Sequence, residues 1–299
     1  MFATDGGAAA RLRCEPESEI DAHQRRPELM RACVTLDGLL SPGDIISATP
    51  FLAALRRAAL CAVAALPLGT QANDAAHWQY SGEYGPARWG ALRPEYALCD
   101  RGQRQSPIDI VAPRRQTLPP LRFQYRGAPA RIVNDGHTVR VRVANGSRMA
   151  LGRDNHTLQQ FHFHVPGGDR VQGEEFPMAM HFLHKSSAGR LVSLVVLFRL
   201  GAENPALAAL LPKMPAHGQP ERLLPDAPLD PARFLPAGHG YYAYEGSLTA
   251  PPCTEGVLWL VMKQPVELSA AQLARLSALF PNNARPVQPL HGRVVTEGP

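Results

Sequence analysis

The clearest pattern in the chain is a set of strand-length segments in which hydrophobic positions alternate or run on unbroken. From Thr138 to Val143, valines alternate with threonine and arginine, which is the period-two pattern of a half-buried strand. Residues 191–200 (LVSLVVLFRL) form a nearly continuous aliphatic run, as expected for a central strand buried on both faces. Another strand is predicted in the segment TEGVLWLVMKQPVEL, ending at Pro265.

Helical patterns are few and short. Asn204 is a plausible N-cap with Pro205 at the first helical position, and Ser269 is a plausible N-cap for a second helix that Pro281 ends. We find no linker, internal repeat or low-complexity segment from about His77 onward. The pattern therefore predicts one mainly β (α+β) domain with short peripheral helices.

The first 72 residues differ from the rest. Residues 51–72 contain Arg56 and Arg57, an apolar stretch over residues 58–68 and small residues ending at Ala72, which is typical of a secretory signal peptide. The apolar core is too short to span a bilayer, for which about 20 residues are needed. Since signal peptides begin at the N-terminus, we expect residues 1–50 to be a non-native extension upstream of the true start. The alternative is a genuine extension followed by a buried helix.

Residues 73–299 then form the mature domain, and its composition excludes some partners. Apolar residues make up 45% of the chain and charged residues 19%, an ordinary globular balance. The net charge is +5, but the basic residues are scattered and form no block of five or six. We therefore expect no nucleic-acid partner, and no stable membrane insertion once the signal peptide is removed. The oligomeric state stays open.

Cysteine usage agrees with export. Cys14, Cys33 and Cys61 fall in the segment that we expect to be absent or removed, which leaves Cys99 and Cys253. An even number of cysteines suits an oxidising compartment. We expect a periplasmic or secreted protein, with two free thiols as the alternative to a disulfide.

Two histidines in the segment QFHFH raise the possibility of metal chemistry. On a strand, residues i and i+2 point to the same face, so His162 and His164 project together with Gln160. Phe161 and Phe163 then form the opposite, apolar face. Imidazoles about 7 Å apart at their Cα atoms can converge on one ion. The alternative is a pair of hydrogen-bonded histidines lining a cleft.

A third ligand is expected from the neighbouring segment FPMAMHFLHKS. His181 and His184 differ in parity, so only one of them can join the pair, and parity does not choose between them. His156 is expected on the face of His162 but roughly 20 Å away along the strand. Three neutral histidines suit a catalytic Zn²⁺ that keeps a fourth position open for water.

Two further segments carry polar groups of interest. Thr249 places a hydroxyl in the loop GSLTAPPCTEG, which otherwise indicates only a rigid turn. His137 follows an Asn-Asp-Gly turn, where an exposed imidazole could carry protons near neutral pH. Without further context, His137 is more typical of a polar surface residue than of a proton carrier.

Six motifs in this order make the chain, from about residue 77 to residue 295, resemble an α-type carbonic anhydrase of the secreted bacterial kind. They are HWQYSGEYGPARWGAL, QSPIDI, NDGHTVRV, QFHFH, GSLTAPPCTEGVLWLV and NNARPVQPLHGR. The resemblance implies a single domain around a large, mostly antiparallel twisted sheet. It also implies zinc-dependent reversible hydration of CO2 to bicarbonate and a proton.

The resemblance assigns roles residue by residue. It implies a Zn²⁺ ligand set of His162, His164 and His181. It implies Gln160 as the outer-shell residue that receives an N–H from the first ligand, and Thr249 as the residue that orients zinc-bound hydroxide. His137 falls at the position of the proton shuttle, Leu248 and Val257 contribute to an apolar wall for CO2, and Cys99 pairs with Cys253.

The chain departs from the family pattern at three positions. Gly168 replaces a glutamate that usually accepts from the threonine hydroxyl, and Ala179 replaces a glutamate that usually supports an imidazole ligand. Ser193 stands where a valine usually lines the CO2 pocket. Asp169 could replace the first missing acceptor if its loop is shifted. Because lost outer-shell contacts typically cost 10–100-fold, reduced activity is expected.

The alternative is a zinc-binding protein of this fold with little or no hydratase activity, acting as a binding module. To separate the two departures, we expect a larger gain of activity from Gly168→Glu than from Ala179→Glu.

Overall fold

One large β-sheet organises the part of the chain that the computed structural model describes, residues 77–144, 146–280 and 282–298. These residues lie in one compact unit. The extension predicted for residues 1–50 and the signal peptide predicted for residues 51–72 lie outside the described residues. Within them, no helix is long and apolar enough to cross a membrane.

Short strands and a few short helices make up the described residues. The strands are β1 (Asp109–Ile110), β2 (Arg114–Arg115), β3 (Leu121–Gln124), β4 (Ala128–Asn134), β5 (Val139–Val143), β6 (Arg148–Leu151), β7 (Asp154–His164), β8 (Arg170–Val171), β9 (Glu174–Glu175), β10 (Met178–Ser186), β11 (Leu191–Leu200), β12 (Arg222–Leu229), β13 (Tyr241–Ser247), β14 (Glu255–Met262), β15 (Val266–Leu268) and β16 (Thr296–Glu297). The helices are α1 (Trp89–Leu92), α2 (Leu98–Arg101), α3 (Pro205–Leu210) and α4 (Ala270–Leu279), with 3-10 turns at Gly82–Tyr84, Pro86–Arg88, Pro94–Tyr96, Leu211–Lys213 and Pro231–Phe234.

The sheet is mostly antiparallel. In the described residues its order is β12-β4-β5-β7-β10-β11-β14-β13-β16-β2, with β6 on β7, β3 on β6 and β15 beside β11. Strand β11 pairs in parallel with β14 and β15, β16 pairs in parallel with β2, and the remaining pairs are antiparallel. A separate small sheet joins β1, β8 and β9. The predicted mainly β fold with a large, mostly antiparallel sheet and short helices is confirmed.

The central strands β7, β10 and β11 present different chemistry on their two faces. Phe161, Phe163 and Phe182 point into the larger apolar cluster, which also buries α3 and α4 side chains. Ala179 and Val195 belong to a second apolar cluster with residues of β13 and β14. As predicted, β11 is buried along nearly its whole length. The sheet therefore places an apolar layer directly behind the histidine-bearing face.

A β-bulge in β7 corrects one expectation. Leu183 pairs with Gln160, but His184 pairs with Leu158, so Gln159 is an extra residue in the ladder. An extra residue reverses which alternate side chains face the core, and Leu158 accordingly joins the same apolar cluster as Phe161. The uninterrupted strand pattern predicted His156 on the same face as His162. Because of the bulge, this prediction is wrong, and His156 lies on the opposite face.

Both predicted N-caps are present. The Asn204 side chain accepts from the backbone N–H groups of Ala206 and Leu207 at the start of α3. Ser269 forms a capping box with Gln272 at the start of α4. These caps satisfy orphan N–H groups at the helix starts, which is why such short helices are well defined at the edge of the sheet.

Candidate metal centre and its cavity

Strand register brings three histidines together on one face of the sheet. His162 lies opposite His181 in the β7–β10 ladder, and His164 lies opposite Ala179. The candidate ligand nitrogens of His162, His164 and His181 all lie within 4.8 Å of one another. His184 lies on the other face, where its Nε2 is hydrogen-bonded to the Tyr125 hydroxyl at 2.7 Å. The geometry thus groups His181, and not His184, with the pair on β7.

The two β7 histidines are each held by a protein oxygen. His162 Nδ1–H donates to Gln160 Oε1 at 3.0 Å, and His164 Nδ1–H donates to the Asn283 carbonyl at 2.8 Å. A donating Nδ1 leaves Nε2 with its lone pair, which is the form that binds a metal. His164 Nε2 is buried and has no protein partner in the described residues. This donor set fits a metal ion.

The third histidine lacks such support. His181 is 4% exposed, and its Nε2 has no hydrogen-bond partner among the described residues. Ala179, two residues earlier on the same face of β10, offers only a methyl group. A buried imidazole nitrogen without a partner carries a desolvation cost of about 1–3 kcal/mol.

Burial keeps the three imidazoles neutral. Desolvation is the main cause that lowers the pKa of His162 and His181 well below the usual value of 6.5, and it lowers the pKa of His164 to about 4. Neighbouring imidazole charges lower the pKa values of His162 and His181 further. Because metal ions bind the neutral imidazole, protons compete weakly for this site at neutral pH.

A cavity of about 200 Å³ opens over the histidines. Its lining includes every residue predicted for the metal, catalytic, supporting and substrate roles: His137, Gln160, His162, His164, His181, Ser193, Leu248, Thr249 and Val257. Val257 is buried in the second apolar cluster, and Leu248 packs against that cluster. Ser193 is buried on β11 and brings a hydroxyl to the same wall. The cavity therefore joins a polar floor, formed by the three candidate metal ligands, to a largely apolar side.

The loop that carries Thr249 is anchored at several points. Leu248 N–H donates to the Thr254 carbonyl, and Cys253 N–H donates to the Ala250 carbonyl. Cys253 is bonded to Cys99, which is the disulfide that the resemblance implied. Buried Arg285 donates to the Cys99 carbonyl at 2.7 Å and so ties the disulfide to the C-terminal segment.

The segment after β7 differs from the expected arrangement. Gly168 has φ +86°, a left-handed conformation that favours glycine, and it borders a neighbouring cavity of about 290 Å³. Glutamate at this position would be strained, so from the structure we expect a smaller gain of activity from Gly168→Glu than from Ala179→Glu, the opposite of the order expected from the sequence. Asp169 does not bond to Thr249 in the described residues. Its Oδ1 instead accepts from Tyr244 Oη at 2.9 Å and from Ile108 N–H at 3.2 Å.

His137 lies at the cavity mouth within an aromatic group. Its ring stacks on Trp78 with centroids 3.6 Å apart, and its Nε2 is hydrogen-bonded to His77 Nε2 at 2.8 Å. Burial is the main cause that lowers the pKa of His137, followed by the charge of His77. His137 therefore connects the cavity lining to an exposed imidazole.

Sequence reasoning missed several residues of this site. Asn283 supports His164 and, through its side-chain amide, donates to the His137 and Phe163 carbonyls. The motif NNARPVQPLHGR contained Asn283, but no local pattern linked it to a strand 119 residues earlier. His77 and Trp78 lie in the motif HWQYSGEYGPARWGAL, but the sequence assigned neither of them a role.

Comparisons with known proteins agree on one family. A family model described as eukaryotic-type carbonic anhydrase matches residues 84–298. A carbonic anhydrase of Pectobacterium atrosepticum is 40% identical over 226 residues, covering 75% of this chain and 92% of that protein. The structure of α-carbonic anhydrase from Thermovibrio ammonificans with the inhibitor sulfanilamide has a TM-score of 0.71 and 41% identity, covering 74% of this chain and 99% of that one. The structure of dioscorin complexed with ascorbate has a TM-score of 0.68 and 34% identity, covering 74% of this chain and 98% of that one.

Proposed function

The chain belongs to the α-carbonic anhydrase family, and on that basis we propose that it hydrates CO2 reversibly to bicarbonate and a proton with a zinc ion as cofactor. The observation that carries the proposal is the group of three imidazoles, two buried (His164 and His181) and one half-buried (His162), at the floor of a partly apolar cavity. Three histidines with an open fourth position are the ligand set of a catalytic zinc site rather than a structural one.

His162, His164 and His181 would hold the zinc ion. When bound, zinc supplies a hydroxide nucleophile at neutral pH by lowering the pKa of a water. Gln160 and the Asn283 carbonyl hold two of the imidazoles by their Nδ1–H groups, so these rings need little reorganisation to bind the ion. The chain thereby provides a largely preformed site.

Thr249 and the cavity wall act on the reactants. Thr249 lines the cavity together with the three histidines, where its hydroxyl would accept a hydrogen bond from the nucleophile and orient it toward CO2. Leu248 and Val257 provide the apolar surface against which CO2 is held. Ser193 makes that wall more polar than an aliphatic side chain would, which weakens the preference for an apolar substrate.

His137 carries the released proton out of the cavity. A proton received inside the cavity by the His137 imidazole leaves at the cavity mouth, where the ring contacts His77 and solvent. A lowered pKa makes His137 a weaker proton acceptor but a faster donor to buffer.

The disulfide supports a place of action outside the cytoplasm. Cys99 and Cys253 form a bond that is typical of oxidising compartments, and we propose a periplasmic or secreted enzyme. Its partners are the small molecules CO2 and bicarbonate.

Stopped-flow CO2 hydration tests the proposal, with and without a zinc-binding sulfonamide, on protein shown to contain one zinc per chain. We expect a sulfonamide-sensitive rate above that of buffer. No such rate in zinc-loaded protein would favour the alternative, a zinc-binding module of this fold. The unsupported His181 and the likeness to a dioscorin solved with ascorbate are the observations on that side.

The proton-transfer role has its own test. His137→Ala should lower kcat in weak buffer by about tenfold or more and leave kcat/KM nearly unchanged, since only proton export is affected. Adding imidazole buffer should restore kcat. Unchanged kcat in weak buffer would remove His137 from the mechanism.

A further inference from the structure

Two buried polar atoms behind the metal group have no hydrogen-bond partner in the described residues: Nε2 of His181 and Oδ2 of Asp169. The two residues are 4% and 1% exposed, respectively. Buried polar atoms in native proteins are almost always paired, either with protein or with an ordered water. Both atoms therefore point to a contact that the protein groups themselves do not make.

The two residues lie against the same aromatic pair. Tyr244 donates its hydroxyl hydrogen to Asp169 Oδ1, and its ring stacks on Trp259 with centroids 5.7 Å apart. The edge of Trp259 meets the His181 ring at a centroid distance of 5.1 Å. Asp169 and His181 thus contact the two members of one stacked aromatic pair, and Ala179 belongs to the same apolar cluster as that pair.

Ala179 presents only a methyl group on this face of β10. It is fully buried and lies on the same face of β10 as His181, and its methyl group is much smaller than the carboxylate that the family pattern places there. The difference in side-chain volume is on the order of one or two water molecules. Asp169 and His181 form no direct hydrogen bond or ion pair in the described residues, so any link between them needs an intermediary.

The hydrogen-bonding capacities of the two groups match through one water. Oδ1 of Asp169 already receives two donors, from Tyr244 and Ile108, whereas Oδ2 receives none. A water can accept from His181 Nε2–H and donate to Oδ2, which satisfies both atoms. Nδ1 of His181, a residue that lines the cavity, then keeps its lone pair.

We propose that a buried water links His181 Nε2–H to Asp169 Oδ2, and that Asp169 thereby positions the third metal ligand in place of the carboxylate missing at position 179. Asp169 is a positioning residue, since it acts through His181. The inference rests on the proposed function, because it takes His181 as a zinc ligand.

Zinc affinity, measured by competition with a chelator, tests the role of Asp169. Asp169→Asn should weaken zinc binding about tenfold, because the amide N–H₂ would face a water that has to donate. Ala179→Glu should strengthen zinc binding by a similar factor, and in that background Asp169→Asn should cost less than about threefold. Asp154→Asn, at an exposed carboxylate on β7, is the matched control and should change nothing.

A second variant separates positioning from general packing. Tyr244→Phe removes the donor to Oδ1 but leaves Oδ2 free, so it should change zinc affinity less than about twofold. A loss with Tyr244→Phe as large as with Asp169→Asn would show a merely structural role and overturn the proposal.

A high-resolution structure of the zinc-loaded protein gives a readout that needs no variant to fold. We expect a water within about 2.7–3.2 Å of both His181 Nε2 and Asp169 Oδ2. A gap without such a water, or unchanged zinc affinity in Asp169→Asn, would overturn the inference. Wild-type protein that binds no zinc would instead overturn the proposed function, so the two failures are distinguishable.

Discussion

The three candidate metal ligands are supported differently on the two strands that carry them: His162 and His164 on β7, and His181 on β10. On the β7 side, each imidazole donates to a protein oxygen, supplied by Gln160 for one and by Asn283 for the other. On the opposite side, the Nε2 of His181 has no protein partner in the described residues. The positions of the candidate ligands follow from strand alternation and strand register, whereas their support depends on single side chains that can be lost independently.

The largest expected effect comes from the supported side. His164→Ala removes a ligand, so bound zinc should fall from about one per chain to near zero, and CO2 hydration should fall with it. Zinc analysis of purified protein measures the first, and stopped-flow hydration the second. Retention of a full zinc by this variant would contradict the assigned ligand set.

The disulfide between Cys99 and Cys253 constrains the loop that carries Thr249. The double variant Cys99→Ser, Cys253→Ser should lower the free energy of unfolding by about 2–5 kcal/mol, because the bond closes a very long loop in the unfolded chain. Urea unfolding measures the loss. An equal stability of oxidised and reduced wild-type protein would argue against this account.

Removing the acceptor of one β7 histidine should leave that imidazole without a hydrogen-bond partner, as His181 Nε2 already is. Gln160→Leu leaves His162 Nδ1–H without its acceptor, and zinc affinity should fall about tenfold. Chelator competition measures the change, with Gln159→Leu, at the exposed bulge residue, as the neighbouring control. A fall below about twofold would mean that the ring is held by packing alone.

Adding a carboxylate after β7 should not complete the other side. Gly168→Glu forces a side chain onto a backbone with φ +86°, which costs about 1–2 kcal/mol. We expect lower thermal stability and no gain in hydration rate, in contrast to Ala179→Glu. A rise in rate with unchanged stability would show that the loop can rearrange.

The smallest expected effect concerns protonation at the cavity mouth. The charge of His77 disfavours protonated His137, so His77→Ala should raise the pKa of His137 toward its usual value of 6.5. The pH at which half of the His137 rings are protonated should therefore be higher in the variant than in the wild type. An NMR titration of the His137 ring measures it, and His291→Ala, at an exposed histidine, should have no effect.

Much of the fold and the ligand set could be predicted from local pattern. The alternation in β7 placed His162 and His164 on one face, and the caps at Asn204 and Ser269 marked two helices correctly. Parity left His181 and His184 as alternatives, which the strand register resolves. The bulge at Gln159 escaped prediction, because an inserted residue leaves no mark in the hydrophobic pattern.

The supporting contacts could not be predicted for a different reason. Asn283 reaches His164 across 119 residues of sequence, and Asp169 meets Tyr244 across 75. Such contacts depend on tertiary packing that no periodicity encodes. Sequence reasoning did indicate where support is missing, since Ala179 offers no acceptor.

The contacts among the candidate ligands span fewer residues of sequence than the contact of Asn283 with His164, and this difference bears on the order of folding. All three candidate ligands lie on β7 and β10, adjacent antiparallel strands joined by a short connection, so only a modest loop has to close before they meet. The contact of the Asn283 carbonyl with His164 spans 119 residues, so it closes a much longer loop. We therefore expect metal capture to precede completion of the sheet, which would let the ion act as a nucleus around which the remaining strands assemble.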